Sequence, residues 1–232
     1  LATSPGARRT GGVEVGRVAG AWAGTGAAQV GQAGEARVSV AQGTVTGMGR
    51  IIFDTATTIN GFLADEHHSL DWLFAVENGD DPAEGLYPAD AAVLVEGSST
   101  YEWVLRHEQL LERPERWREL YGETPTFVFT SRRLPVPAGA DVRLVSGDVS
   151  SALPEIRAAA GDGDIWVVGG GDLAGQFLDA GALDRVELSV APAALSAGAP
   201  LFPRRVGPDR LRLVSARAVG QFARLVYDVL PA

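Results

Sequence analysis

Ile165-Trp166-Val167-Val168-Gly169-Gly170-Gly171-Asp172-Leu173 is a short apolar run, rich in β-branched residues, that stops on three glycines and restarts with a helical pattern. The spacing predicts a buried strand over Asp164–Val168 and a helix over Asp172–Ala180 that ends at Gly181. Strand, glycine turn and helix in succession form the repeating unit of an α/β sheet, and both flanks keep the rhythm. Upstream, strands are expected at Ile51–Thr57, Ala91–Val95, Thr126–Thr130 and Val142–Val145. Helices are expected at Ser69–Glu77 with Ser69 as N-cap, at Tyr101–Arg106 after Gly97-Ser98-Ser99, at Pro114–Tyr121 and at Ser151–Ala160. Downstream, Arg185–Ala191 alternates as a strand, and Leu211–Val219 and Phe222–Leu230 flank Gly220-Gln221 as a C-terminal β-hairpin. The fold class is α/β, with a largely parallel sheet covered on both faces.

The first 47 residues break this rhythm, since Gly and Ala dominate and no period of 2 or 3.6 persists. The only methionine, Met48, directly precedes the first strand. Residues 1–47 therefore read as a disordered or non-native extension and 48–232 as the domain.

Composition excludes several chemistries. All 20 basic residues of the 232 are Arg, so a Schiff-base lysine, a P-loop lysine and a Tyr/Lys pair are ruled out. With no cysteine there is no disulfide or thiolate metal site, and this fits a reducing, cytoplasmic setting. His67, His68 and His107 have no metal-site spacing and read as surface residues; no metal is expected. A net charge of -9 argues against nucleic acid and anionic membranes as partners. No apolar run approaches the ~20 residues of a spanning helix.

Three strand ends carry polar or glycine residues where open α/β sheets bind ligands. Gly169-Gly170-Gly171-Asp172 offers backbone amides and a helix dipole to phosphate, or is simply a tight turn. Thr130-Ser131-Arg132-Arg133 is a basic spot suited to a 2′-phosphate, or is solvated surface charge. Gly97-Ser98-Ser99-Thr100 offers a second helix N-terminus, or ordinary capping. Together they suit an elongated, multiply phosphorylated dinucleotide. The first strand and its following loop, Ala56 through Asp65, would then lie beside the reacting ring, with Asp54 and Asp71 as the nearest carboxylates. Asp71 reads equally well as a first-turn acid.

Four segments in order resemble the dihydrofolate reductase-like superfamily, in the branch that includes the reductase domain of the riboflavin biosynthesis protein RibD. They are Ala56-Thr57-Thr58-Ile59-Asn60-Gly61-Phe62-Leu63-Ala64, Gly97-Ser98-Ser99-Thr100-Tyr101-Glu102, Ile165 through Gly171, and Leu188-Ser189-Val190-Ala191-Pro192 with Gly198-Ala199-Pro200-Leu201-Phe202. The resemblance implies a mixed, mostly parallel eight-stranded sheet flanked by helices, NADPH as hydride donor, a small-molecule substrate and a homodimer. By motif it implies that Gly97, Ser98, Thr100, Thr130, Ser131, Arg132, Gly169, Gly170, Gly171, Asp172 and Leu173 hold the cofactor. It further implies that Thr58, Asn60, Gly61 and Trp72 border the substrate and that Asp71 and Asn60 serve catalysis. Where the branch shows Ser-Leu-Asp-Gly this chain has Thr58-Ile59-Asn60-Gly61, and an amide cannot ionise. The function expected is reduction of a pyrimidine or ribosyl-amine heterocycle. Dihydrofolate reduction and non-catalytic nucleotide binding are the alternatives. A cysteine-ligated zinc deaminase half is ruled out, because the chain has no cysteine.

Overall fold

Alternating apolar runs and amphipathic segments give one sheet with helices on both sides. The structure, a computed structural model, describes residues 48–76 and 90–232. The extension expected over residues 1–47 and the end of the expected helix Ser69–Glu77 lie outside the described residues. The strands are β1 (Ile51–Thr58), β2 (Phe62–Ala64), β3 (Val93–Gly97), β4 (Thr126–Phe129), β5 (Val142–Val145), β6 (Ile165–Gly169), β7 (Arg185–Ala191), β8 (Ala199–Pro200), β9 (Leu211–Val219) and β10 (Phe222–Val229). The helices are α1 (Asp71–Phe74), α2 (Ser98–His107), α3 (Glu115–Tyr121), α4 (Val149–Ala160) and α5 (Gly171–Asp179).

Eight strands form the main sheet in the order β5-β4-β3-β6-β1-β7-β10-β9, and β2 pairs with β8 in a small separate sheet. Neighbours from β5 through β7 are parallel, whereas β10 runs antiparallel to both β7 and β9. The expected eight-stranded mixed sheet and C-terminal hairpin are therefore both present. Alternation sorts the side chains of the central strands. Ile51, Phe53, Val95 and Val167 pack with Ile156 of α4 and Phe177 of α5. On the opposite face, Val128 packs under Tyr101 and Val104 of α2 and Trp117 of α3, while Leu94, Trp166 and Val168 form a neighbouring cluster.

Two local expectations change. The helix expected at Ser69–Glu77 is a single turn within the described residues, and Leu70 rather than Ser69 stands at its cap. Ser69 is already engaged, because its carbonyl and amide both bond Asp65 and its Oγ accepts from Asp71 N at 3.0 Å. The small β2–β8 sheet was not expected, as two- and three-residue strands leave no periodic trace. Among the described residues no helix is long and apolar enough to cross a membrane.

Candidate active site

At the carboxyl ends of β1, β3 and β6 the sheet opens into a cleft of about 460 Å³, within the range of small-molecule sites. The floor comes from Thr55 and Ala56 of β1 and Val168 of β6. Its two walls differ in chemistry. One is made of Gly97 and the first turn of α2, Ser98-Ser99-Thr100, with Gly169-Gly170-Gly171 and the first turn of α5. The other is made of Leu63, Leu70, Leu73, Trp103 and Val104.

The polar wall is built by close approach of backbones. A Cβ on Gly169 would sit 3.1 Å from Thr100 Oγ1, and one on Gly171 would sit 2.2 Å from the Leu201 carbonyl oxygen, where the chain leaving β8 crosses α5. The backbone carbonyl leaves no room for a side chain at position 171, whereas at 169 Thr100 would have to give way by a few tenths of an ångström. The caps of α2 and α5 are Gly97 and Gly170, and neither helix has a side-chain cap hydrogen bond. By contrast, Asp148 caps α4 and accepts from Ser151 N at 2.8 Å. The first-turn amides of α2 and α5 therefore lack the side-chain partner that α4 has. Two such N-termini facing one cleft are suited to an extended diphosphate. Asp172 lines this wall, but its side chain is engaged elsewhere. It accepts from Gln176 Nε2 at 2.9 Å and Arg204 Nη1 at 3.0 Å, and these bonds hold the carboxyl below its ordinary range.

Of the residues expected to hold cofactor, Gly97, Ser98, Thr100 and Gly169 through Leu173 come together here. Thr130, Ser131 and Arg132 do not line the cleft; the chain contributes Phe129 and then turns away. Arg132 N donates to Thr130 Oγ1 at 3.0 Å, and its guanidinium grips both oxygens of Glu102 at 3.0 and 2.5 Å. Arg132, just past the end of β4, is about half exposed, and Glu102 of α2 is less so.

The expected substrate and catalytic residues Thr58, Asn60, Gly61, Asp71 and Trp72 lie outside the lining of the cleft. Asp71 is exposed on the first turn of α1 and is not part of the cleft, which Leu70 and Leu73 reach instead. Asn60 is exposed and ties two loops together. Its Nδ2 donates to the Leu195 carbonyl at 2.6 Å, and its Oδ1 accepts from Leu195 N and Thr58 Oγ1. Thr58 also accepts from Phe62 N at 3.0 Å, so Thr58, Asn60 and Gly61 form a structural knot outside the cleft. Trp72 packs beside Ala56, Leu73 and Phe222 rather than in the cleft. Asp54 is fully buried on Arg224 and likewise stays out of it.

His68, read from sequence as a surface residue, is exposed and lines the cleft mouth. Its backbone is left-handed, φ 58°, a conformation uncommon outside glycine and tolerated better by His, Asn and Asp. Asp65 holds it there, with Oδ1 accepting from the amides of His67 and Ser69 at 2.8 Å each and the carbonyl accepting from His68 N at 3.1 Å. An Asp four residues before a Ser is a usable turn signal, but nothing in sequence says where the turn points.

The RibD C-terminal domain model matches residues 50–223. YwjB, an uncharacterized protein of Bacillus subtilis, is 27% identical over 180 residues, covering 74% of this chain and 93% of its own. Among solved structures, a Shewanella sp. PV-4 protein described as a riboflavin biosynthesis protein superposes with a TM-score of 0.63 at 24% identity, covering 79% of this chain and 99% of that one. The Thermotoga maritima diaminohydroxyphosphoribosylaminopyrimidine deaminase/5-amino-6-(5-phosphoribosylamino)uracil reductase does so with a TM-score of 0.53 at 17% identity, covering 79% of this chain and 57% of that one. At these identities the structural likeness speaks for the fold, while the domain match extends from the first strand into the last. The chain belongs to the RibD C-terminal domain family.

Proposed function

We propose that this protein is an NADPH-dependent reductase acting on a polarised C=N or C=O bond of a small heterocycle. The observation that carries the reading is the meeting of two helix N-termini without side-chain caps in one cleft that leucines and Trp103 also line. Bound there, the reduced coenzyme supplies hydride. The first-turn amides of α2 and α5 hold its diphosphate, with Ser98 and Thr100 supplying hydroxyls. Leu63, Leu70 and Leu73 keep water from the acceptor, which strengthens every polar contact made inside.

Reduction also consumes a proton. Asp71 and Asn60 stand outside the cleft, and Asp172 is engaged by Arg204 and Gln176. His68 is the imidazole that lines the cleft, and a ring nitrogen there can pass a proton to a bound acceptor. His68→Gly, which suits the left-handed backbone, is expected to lower kcat about 100-fold. Coenzyme affinity should be unchanged, and added imidazole should restore part of the rate. His67→Gly serves as the control, and equal losses in the two variants would remove His68 from the reaction.

Cofactor choice rests on Arg132. Arg132 can receive a 2′-phosphate by exchanging Glu102 for it, so NADPH should bind about tenfold more tightly than NADH, a difference of about 1.4 kcal/mol. Arg132→Ala should erase the preference, and Glu102→Gln should widen it. Titration of tryptophan fluorescence with both coenzymes decides this, and equal affinity in the unmodified chain would count against NADPH. Coenzyme binding without turnover is the second reading, favoured by the position of both expected catalytic residues outside the cleft. Failure to oxidise NADPH across a panel of pyrimidines, pterins and imines would select it.

A further inference from the structure

The apolar wall carries information about the acceptor beyond the general reductase reading, on which the following rests. Trp103 of α2 is packed from behind by His107, one turn on, with ring centroids 4.4 Å apart and planes 14° apart. Phe74 of α1 stacks on both, at 5.9 Å from Trp103 and 5.2 Å from His107. Three nearly parallel rings fix the indole, and Trp103 is the member of the stack that lines the cleft. A preset aromatic surface beside Leu70, Leu73 and Val104 favours a flat, apolar-faced ring, at little ordering cost to the protein.

The charges point the same way. No arginine is among the described residues lining the cleft, and the chain contains no lysine. Two arginines that flank lining segments are paired with carboxylates, and under the reductase reading Arg132 exchanges its partner only for the coenzyme. Arg132 holds Glu102 through two hydrogen bonds, and Arg204 holds Asp172 at 3.0 Å and Asp179 at 2.8 Å. The first-turn amides of α2 and α5 that can take phosphate are, under the reductase reading, occupied by the coenzyme's own diphosphate. A phosphate ester on the acceptor would thus lose its hydration against leucine and tryptophan with no guanidinium or ammonium on the cleft lining to meet it, in a chain of net charge -9.

We infer that the acceptor is a planar, uncharged heterocycle bearing no phosphate, seated against Trp103. This separates the chain from the phosphoribosyl chemistry in the name of the Thermotoga protein.

Matched ligand pairs test the inference on the full chain: an aminopyrimidine riboside with its 5′-phosphate, and riboflavin with FMN. Each is titrated calorimetrically into protein saturated with NADP⁺. The unphosphorylated member of each pair should bind at least about tenfold more tightly. Trp103→Ala should weaken that member about 3- to 10-fold, and Trp103→Phe, which keeps a ring in the stack, should largely retain it. Equal or tighter binding of the phosphate esters overturns the inference, as does failure of every member to bind. Coenzyme binding is measured first and separately. A chain that does not bind NADPH defeats the reductase reading, whereas one that binds NADPH and prefers phosphate esters defeats only the inference about the acceptor.

Discussion

Arg224→Met is expected to cost the protein about 3–5 kcal/mol of stability, because it strips the cation from a buried cluster with two carboxylates. Arg224 is 3% exposed and Asp54 0%. Nη1 donates to Asp54 Oδ1 at 2.6 Å and to Ser189 Oγ at 3.1 Å, while Nη2 donates to Asp54 Oδ2 at 2.5 Å and to Glu187 Oε2 at 2.6 Å. Strand register explains how they meet: Asp54 of β1 lies opposite Glu187 of β7, and Arg224 of β10 lies opposite Ser189, two residues further along the same face. Burial pushes the Asp54 carboxyl up to about 7 even though Arg224 pulls the other way, so little margin remains once the guanidinium is gone. Asp54→Asn should rescue much of the loss, since it removes the charge that Arg224 neutralises. Urea denaturation of both single variants and the double variant gives the coupling, and strictly additive losses would mean that the pair contributes only packing. Thr55 and Ala56, next along β1, floor the cleft, so coenzyme affinity should fall with stability.

What the sequence made legible follows a physical divide. Gly169-Gly170-Gly171 and Gly97-Ser98-Ser99-Thr100 are covalently local, and a strand that runs through them into a helix can place its amides in few ways. Their convergence at adjacent strands follows from β3 pairing with β6. Asp71 and Asn60 are also local, but a residue's place after a strand does not say which way its side chain turns. Asn60 turns toward Leu195, 135 positions away, and Asp71 turns toward solvent. The pairing of Asp54 with Arg224 spans 170 positions and that of Arg132 with Glu102 spans 30, so neither could be found from spacing. Trp103, His107 and Phe74 show the same limit. The i, i+4 relation of the first two puts them on one face of α2, but only the packing of α1 turns that face into a cleft wall.

Glu96→Gln should make the protein more stable than its parent at pH 8.5 while changing it little at pH 5. Glu96 is on β3, directly before Gly97, and is 4% exposed. Burial alone pushes its carboxyl from 4.5 up to about 8, so the folded protein holds it neutral at pH 7. The unfolded chain gives up that proton near 4.5, so between the two values the folded state binds more protons. Glu96 therefore supports folding fully below about pH 4.5 and loses that contribution as pH rises to about 8, at about 1.4 kcal/mol per pH unit. From pH 5 to 8 the loss is about 4 kcal/mol. Glutamine keeps the size and polarity of the acid but has no proton to lose, so the difference between the two stability curves isolates this group. A residual slope of the same sign should remain in the variant, because Asp54, also raised by burial, titrates near 7. Tyr101 and Tyr121 are raised chiefly by burial and further by a negative charge on Glu96, so ionising it also disturbs α2 from beneath. Since Gly97 caps α2 at the cleft, the parent should lose coenzyme affinity above about pH 8 and Glu96→Gln should keep it. Urea midpoints and coenzyme titrations from about pH 5 to 9 check both effects, and parallel stability curves for the two proteins would show that Glu96 does not hold its proton in the folded state.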